Sequence, residues 1–246
     1  MKADPAVQLR LLDLQAVDIE LAQLDHRRRN LPEHAEVTAL AARREEKETA
    51  LVRVRTEVQD LERAQKRLDA DIDTVRARAT RDQERLDSGA VRSARDLESL
   101  QSELASLARR QSTLEDQLLE LMEQVETLSG TVTELEAEHQ RVVDQEVEVS
   151  ARRDEILAEI DATSAARRGT RDQIAAEIPA DLLALYERIR GDSGVGAAPL
   201  RRRRCEGCHL ELSGGDVATV RAAAPDEVLR CEECRRILVR TPESGL

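Results

Sequence analysis

Residues 97–135 read LESLQSELASLARRQSTLEDQLLELMEQVETLSGTVTEL, with apolar residues recurring at alternating steps of three and four. The pattern runs on to Ile160 through positions 97, 100, 104, 107, 111, 114, 118, 121, 125, 128, 132, 135, 139, 142, 146, 149, 153, 156 and 160. Fifteen of these nineteen are apolar; the exceptions are Gln111, His139, Glu146 and Arg153. A repeat of about 3.5 residues sustained this long specifies a coiled coil rather than a lone amphipathic helix. A second run occupies 51, 54, 58, 61, 65, 68, 72, 75 and 79, with only Gln65 polar. Each helix therefore needs a partner.

The phase of the two runs pairs them with each other. In an antiparallel fold-back, facing core positions have a constant sum of residue numbers. Ala79 with Leu100, Val75 with Leu104, Ile72 with Leu107, Leu61 with Leu118, Val54 with Val125 and Leu51 with Leu128 each total 179. Half of that falls between Gly89 and Ala90, inside the only interruption of the repeat, Asp87-Ser-Gly-Ala-Val-Arg-Ser-Ala-Arg-Asp96. Gly89 suits a left-handed cap there, and Ser93 with Asp96 is spaced as a capping box.

Further out, Leu14, Val17, Leu21 and Leu24 are out of phase with that sum, and Asn30-Leu-Pro-Glu33 is the obvious site for a kink, because Pro removes a helix hydrogen bond. The expected fold is mainly α: a long antiparallel kinked coiled-coil hairpin over residues 1–190, followed by a small β-rich zinc ribbon. The arms span 5–86 and 94–177, each about 120 Å at about 1.5 Å per residue. The turn is expected at 87–93, the kink at 30–33 and a short helix at 181–190. Gly- and Ala-rich residues 191–199 read as a linker, and 200–246 as the ribbon.

Composition agrees. The 246 residues hold no Phe, no Trp and one Tyr, with 36% charged side chains, so a conventional aromatic-rich enzyme core is not expected. A net charge of −12 opposes general adhesion to nucleic acid or anionic membrane. The acidity is segregated: before residue 199 there are 29 basic and 42 acidic residues, after it nine arginines and eight carboxylates. With neither a signal-peptide core nor a spanning apolar segment, the chain reads as cytoplasmic.

Cys205-Glu-Gly-Cys208 and Cys231-Glu-Glu-Cys234 are two CxxC pairs with 22 residues between them, the pattern of a four-thiolate zinc site for one Zn²⁺ per chain. The alternatives are four unligated thiols, a redox CxxC, which needs a thioredoxin-like context, and an iron–sulfur centre. So small a module needs its metal for most of its stability. Leu200 to Arg204, Glu227 to Arg230 and Ile237 to Val239 read as its strands. His209 reads as the start of a strand rather than a ligand.

Arg201, Arg202, Arg203 and Arg204, with Arg235 and Arg236, have two readings: they offset the charge of the thiolate centre or contact protein, or they form a phosphate-binding patch. The ribbon has no aromatics for base stacking, which disfavours sequence-specific single-strand recognition. Arg81, Arg85, Arg92 and Arg95 near the Gly89 tip are a second candidate contact surface. Gly191-Asp-Ser-Gly194 is like a serine-protease tetrapeptide without its fold, the histidines His26, His34, His139 and His209 are dispersed, and no nucleotide loop occurs, so no catalytic constellation emerges.

These motifs together resemble a bacterial family of C4-type zinc-ribbon proteins with a long N-terminal coiled-coil hairpin. The resemblance rests on Leu86-Asp-Ser-Gly-Ala-Val91, Arg95-Asp-Leu-Glu-Ser-Leu-Gln101, Leu185-Tyr-Glu-Arg-Ile189 and Cys231-Glu-Glu-Cys-Arg-Arg-Ile-Leu238. Where the family usually has Gly after the last cysteine, Arg235 stands here, which implies modest strain if that turn needs a positive φ. The resemblance implies a non-enzymatic adaptor that binds a protein partner, in transcription regulation or in secretion and motility. The alternative is a nucleic-acid-binding regulator acting through the arginines. Neither implies a membrane or a small-molecule substrate, and apolar surface left on a two-helix hairpin admits a homo-oligomer.

Overall fold

The computed structural model describes all 246 residues. Its elements run α1 (Pro5–Arg29), α2 (Pro32–Asp87), α3 (Ala94–Ala176), α4 (Ala180–Ser193), β1 (Ala197–Arg201), β2 (Arg204–Cys205), α5 (Gly214–Ala222), β3 (Leu229–Arg230) and β4 (Ile237–Arg240). They divide into two compact units, one formed by Ala35–Ser150 and the other by Met1–His34 with Ala151–Leu246. No helix is long and apolar enough to cross a membrane.

The first unit is the hairpin, α2 against α3. All nineteen seam positions of α3 and all nine of α2 are buried or half-buried, the polar members included. Two of those polar members have partners at the seam: Gln111 donates to Glu115 at 2.9 Å, and Glu146 accepts from Arg44 at 2.9 Å. Only some seam side chains are buried, among them Leu51, Val54, Ile72, Leu100, Leu114, Val142 and Val149. Two helices make a seam with no third wall, so most of its leucines stay half wet. Ion pairs line its edges: Arg55–Glu136 at 2.5 Å, Arg76–Glu115 at 2.6 Å, Lys47–Glu138 at 2.6 Å and Arg78–Glu103. At the turn Gly89 takes φ +67, which an L side chain resists, and the Ser93 carbonyl accepts the first bond of α3 from Leu97.

The second unit packs α1, the end of α3 and α4 on a four-stranded sheet of order β2-β1-β4-β3. The break after α1 falls where Pro32 begins α2 and the Asn30 amide closes α1 on the His26 carbonyl at 2.8 Å. Strands β1 and β4 pair in parallel, Ala197 opposite Ile237 through Leu200 opposite Arg240. Their side chains alternate between two cores. Ala197, Ile237 and Val239 join Leu11, Leu14, Val17, Ile178, Leu182 and Tyr186 on the helical side. Ala198, Leu200 and Leu238 join Val220, Cys205 and Cys231 on the other.

The expected linker at 191–199 is corrected. Residues 191–193 finish α4, Gly194 caps it with φ +75, and 197–199 open β1 as its parallel partner to β4. What lies between is clamped, not free. The Gly196 amide donates to Gln15 Oε1 at 2.6 Å, and a Cβ on Gly196 would lie 2.6 Å from the Tyr186 ring. Tyr186 itself is fully buried, its hydroxyl donating to Asp18 at 2.6 Å, while Arg171 and Arg190 hold the same carboxylate. Burial and the Asp18 carboxylate together push the Tyr186 hydroxyl well above the ordinary tyrosine range.

The chain start is also built in. Ala3 donates to the Asp226 carbonyl at 2.7 Å, Val228 donates to the Met1 carbonyl at 3.1 Å, and Gln8 ties Ala3 to Pro225.

Candidate metal centre

Each CxxC opens on a chain reversal built in the same way. His209 donates back to the Cys205 carbonyl at 2.8 Å and Arg235 to the Cys231 carbonyl at 2.9 Å. Both of these residues take positive φ, +58 and +62. Cys205 and Cys231 close the loops by donating to the carbonyls of Leu210 and Arg236, each at 3.0 Å. Arg235 therefore occupies the left-handed position that glycine would fill without strain, and His209 occupies the matching one in the first loop instead of starting a strand.

The four Sγ atoms lie within 4.8 Å of one another, with Cys205 to Cys234 and Cys208 to Cys231 both at 3.8 Å. A tetrahedron of sulfurs about 2.3 Å from Zn²⁺ has edges of about 3.8 Å, whereas a disulfide would bring two sulfurs to about 2.05 Å. The spacing fits one zinc ion held by Cys205, Cys208, Cys231 and Cys234, and leaves no position for an exchangeable ligand. Burial pushes the Cys205 thiol up to about 12 and raises Cys231 as well. Burial acts upward on Cys234 too, but the Arg236 amide and the neighbouring thiols outweigh it and leave that thiol low. A zinc ion, which demands thiolates, would draw off the protons that burial otherwise keeps on Cys205 and Cys231.

The arginines are mostly engaged with the loops. Arg204 donates to the His209 carbonyl at 2.7 Å and Arg230 to the Arg235 carbonyl at 2.8 Å, so each left-handed residue has its carbonyl held by an arginine beside the first cysteine of its pair. Arg236 donates to Gly207 at 2.6 Å and to Val195 at 3.2 Å, tying the two loops together. Arg201 pairs with Glu243 at 2.5 Å, Arg235 with Glu232 at 3.2 Å, and Arg203 donates to the Gly245 carbonyl at 3.0 Å. Arg202 and Arg203 form the two-residue turn between β1 and β2, with φ +50 and +63. Beside this turn a groove of about 760 Å³ is lined by Arg201, Arg202 and Arg204, matched by Glu206, Glu211 and Glu243.

Two parts of the site escaped sequence reasoning. Helix α5 is started by a capping box, Ser213 with Asp216, and packs Val220 against the cysteine side of the sheet. The Ser213-Gly-Gly-Asp216 spacing carried that signal. The strands around 202–203 read as one because four successive arginines hide a tight turn that normally advertises itself with Asn or Gly.

Residues 14–194 match the CT398-like coiled coil hairpin domain, and residues 204–238 match the C4-type zinc ribbon domain. The uncharacterized protein Rv2229c of Mycobacterium tuberculosis is 39% identical over 240 residues, 98% of each chain. A solved structure from Mycobacterium smegmatis is 37% identical with a TM-score of 0.87, covering 98% of this chain and all of that one. The structure of CT398 from Chlamydia trachomatis has a TM-score of 0.70 at 20% identity over 96% of this chain and 98% of that one, a likeness of fold.

Proposed function

The chain belongs to the CT398-like coiled-coil hairpin family with a C4-type zinc ribbon, and from that membership we propose that it acts without catalysis, as a cytoplasmic adaptor that docks a protein partner. One observation carries this reading. The large apolar residues left exposed on the hairpin are Val52, Leu119, Met122 and Val147, at 57, 59, 46 and 64%. In the heptad set by the seam, Val52, Leu119 and Val147 each directly follow an a position (51, 118 and 146), and Met122 directly follows a d position (121). All four therefore face the same edge of the helix pair. Apolar side chains scattered at random need no explanation; four confined to one edge point to a covering partner. The zinc would be structural, since four thiolates fill its coordination.

A second reading has its own observation. Non-glycine residues rarely hold two successive positive φ angles, at a cost of about 1–2 kcal/mol each. Arg202 and Arg203 do so at an exposed turn, which is consistent with selection for contact with phosphate. Glu206, Glu211 and Glu243 beside them weaken it.

Affinity capture from lysate, with and without nuclease, separates the two. Proteins retained after nuclease and lost with Leu119→Asp/Met122→Asp support the adaptor. Binding that nuclease abolishes, and that Arg202→Glu/Arg203→Glu removes, supports the nucleic-acid reading instead.

A further inference from the structure

Leu119 and Met122 are one helical turn apart on α3. Their nearest surface neighbours by helical spacing are Glu115, Asp116, Glu123 and Glu126, so two exposed apolar side chains sit inside a ring of four carboxylates. Glu115 is held by Gln111 and Arg76, bonds that lower its carboxyl below the usual range, while Asp116, Glu123 and Glu126 make no ion pair. The ring belongs to a longer asymmetry. Between Gln111 and Gln140 the chain has eight carboxylates and neither Lys nor Arg, although residues 40–68 of the facing arm carry eight basic side chains against six acidic. Those basic side chains reach α3 along the seam edges, at Glu136 and Glu138. Of the ring around Leu119 and Met122, Arg76 reaches only Glu115, and Asp116, Glu123 and Glu126 stay without an ion-pair partner.

We propose that this patch docks a Lys/Arg-rich amphipathic helix, the apolar stripe of the partner on Leu119 and Met122 and its basic flanks on the carboxylate ring. The proposal names the chemistry of the partner in the adaptor reading above and rests on that reading. An apolar pair gives the contact its desolvated centre, and Met in particular adapts to differently shaped side chains. The ring selects sign: an acidic helix, or a nucleic acid, meets three unpaired like charges, Asp116, Glu123 and Glu126. A second copy of the chain placed two-fold on the same patch would set four carboxylates against four, which disfavours self-association there.

The test titrates full-length protein, loaded with zinc, into a labelled synthetic peptide of Leu, Lys and Ala with leucines at i, i+3, i+4 and i+7. The expected result is saturable binding that weakens with salt. It should fall at least about tenfold with Leu119→Asp/Met122→Asp and, separately, with Glu123→Lys/Glu126→Lys, while far-UV circular dichroism and melting stay unchanged. A scrambled peptide of the same composition should bind at least about tenfold more weakly. Equal binding of ordered and scrambled peptides, preference for a Glu-for-Lys peptide, or no binding overturns the proposal. So does sedimentation showing a dimer that Leu119→Asp/Met122→Asp converts to monomer. If that variant loses captured proteins but wild type ignores the basic peptide, the adaptor reading stands and this inference fails. If neither capture nor peptide binding responds to it, both fail.

Discussion

The hairpin and the ribbon-bearing unit bury apolar side chains by different means. In the ribbon-bearing unit Leu11, Leu14, Leu182, Tyr186, Leu200, Ile237 and Val239 are sealed from solvent, because helices close one face of the sheet and the metal centre the other. Along the hairpin only single residues such as Leu114 reach that state, and their neighbours Leu118 and Leu121 stay half-exposed. A strict heptad over two helices fixes register and direction, but it cannot supply a third wall. The sheet unit gains that wall from elements with no periodic signature and depends on a metal in return.

The largest effect expected is therefore confined to one side of the comparison. Chelation of zinc, or Cys205→Ser, should remove a contribution on the order of 10 kcal/mol from the ribbon. Because β4 supplies Ile237 and Val239 to the helical core, the loss should reach α1 and α4. Far-UV helicity of the hairpin should persist, and a protein that keeps its metal after Cys205→Ser would contradict the assignment.

Next come truncations placed to match. Leu14→Ala should cost about 3–5 kcal/mol and Leu114→Ala somewhat less, with Leu118→Ala below both, since the cost follows the cavity that remains. Equal losses at Leu114 and Leu118 in chemical denaturation would show that the hairpin is covered in solution.

A smaller change sharpens the clamp between α4 and β1. Gly196→Ala places a methyl 2.6 Å from the Tyr186 ring and should cost about 1–3 kcal/mol, read as a lowered melting temperature. An unchanged melting temperature would mean the clamp is loose.

The smallest effect expected is on the hairpin edge. Gln111 and then Arg76 hold the Glu115 carboxyl below the usual carboxylate range, and Lys47 does the same for Glu138. A carboxyl lowered in the folded state lends stability that is present above its unfolded pKa and lost as pH falls through the folded one. Acid titration should thus weaken the hairpin slightly below about pH 4, and Glu138→Gln should flatten that slope.

How far the sequence disclosed the molecule follows the same division. The hairpin was legible almost residue by residue, because a period of about 3.5 residues leaves nothing else for Leu97 through Ile160 to do. The four cysteines were legible from spacing alone. Residues 191–199 read as a linker because Gly and Ala signal looseness by composition, whereas in the structure they allow close approach to Gln15 and Tyr186. The arginines read as one charged patch, since sequence cannot tell a guanidinium facing solvent from one holding a carbonyl, as Arg204, Arg230 and Arg236 do. Nor could spacing reveal that Met1 and Ala3 pair with residues 226–228, more than two hundred positions away.

Tyr186 gives the most direct test, as the only aromatic residue in the chain and a fully buried member of the core that ribbon strands share with α1 and α4. Its near-ultraviolet circular dichroism can be followed while a chelator withdraws zinc, alongside far-ultraviolet helicity. If zinc, sheet and helical base form one cooperative unit, the tyrosine signal collapses in step with metal release while most helicity remains. A tyrosine signal unchanged after the metal has left would contradict that account.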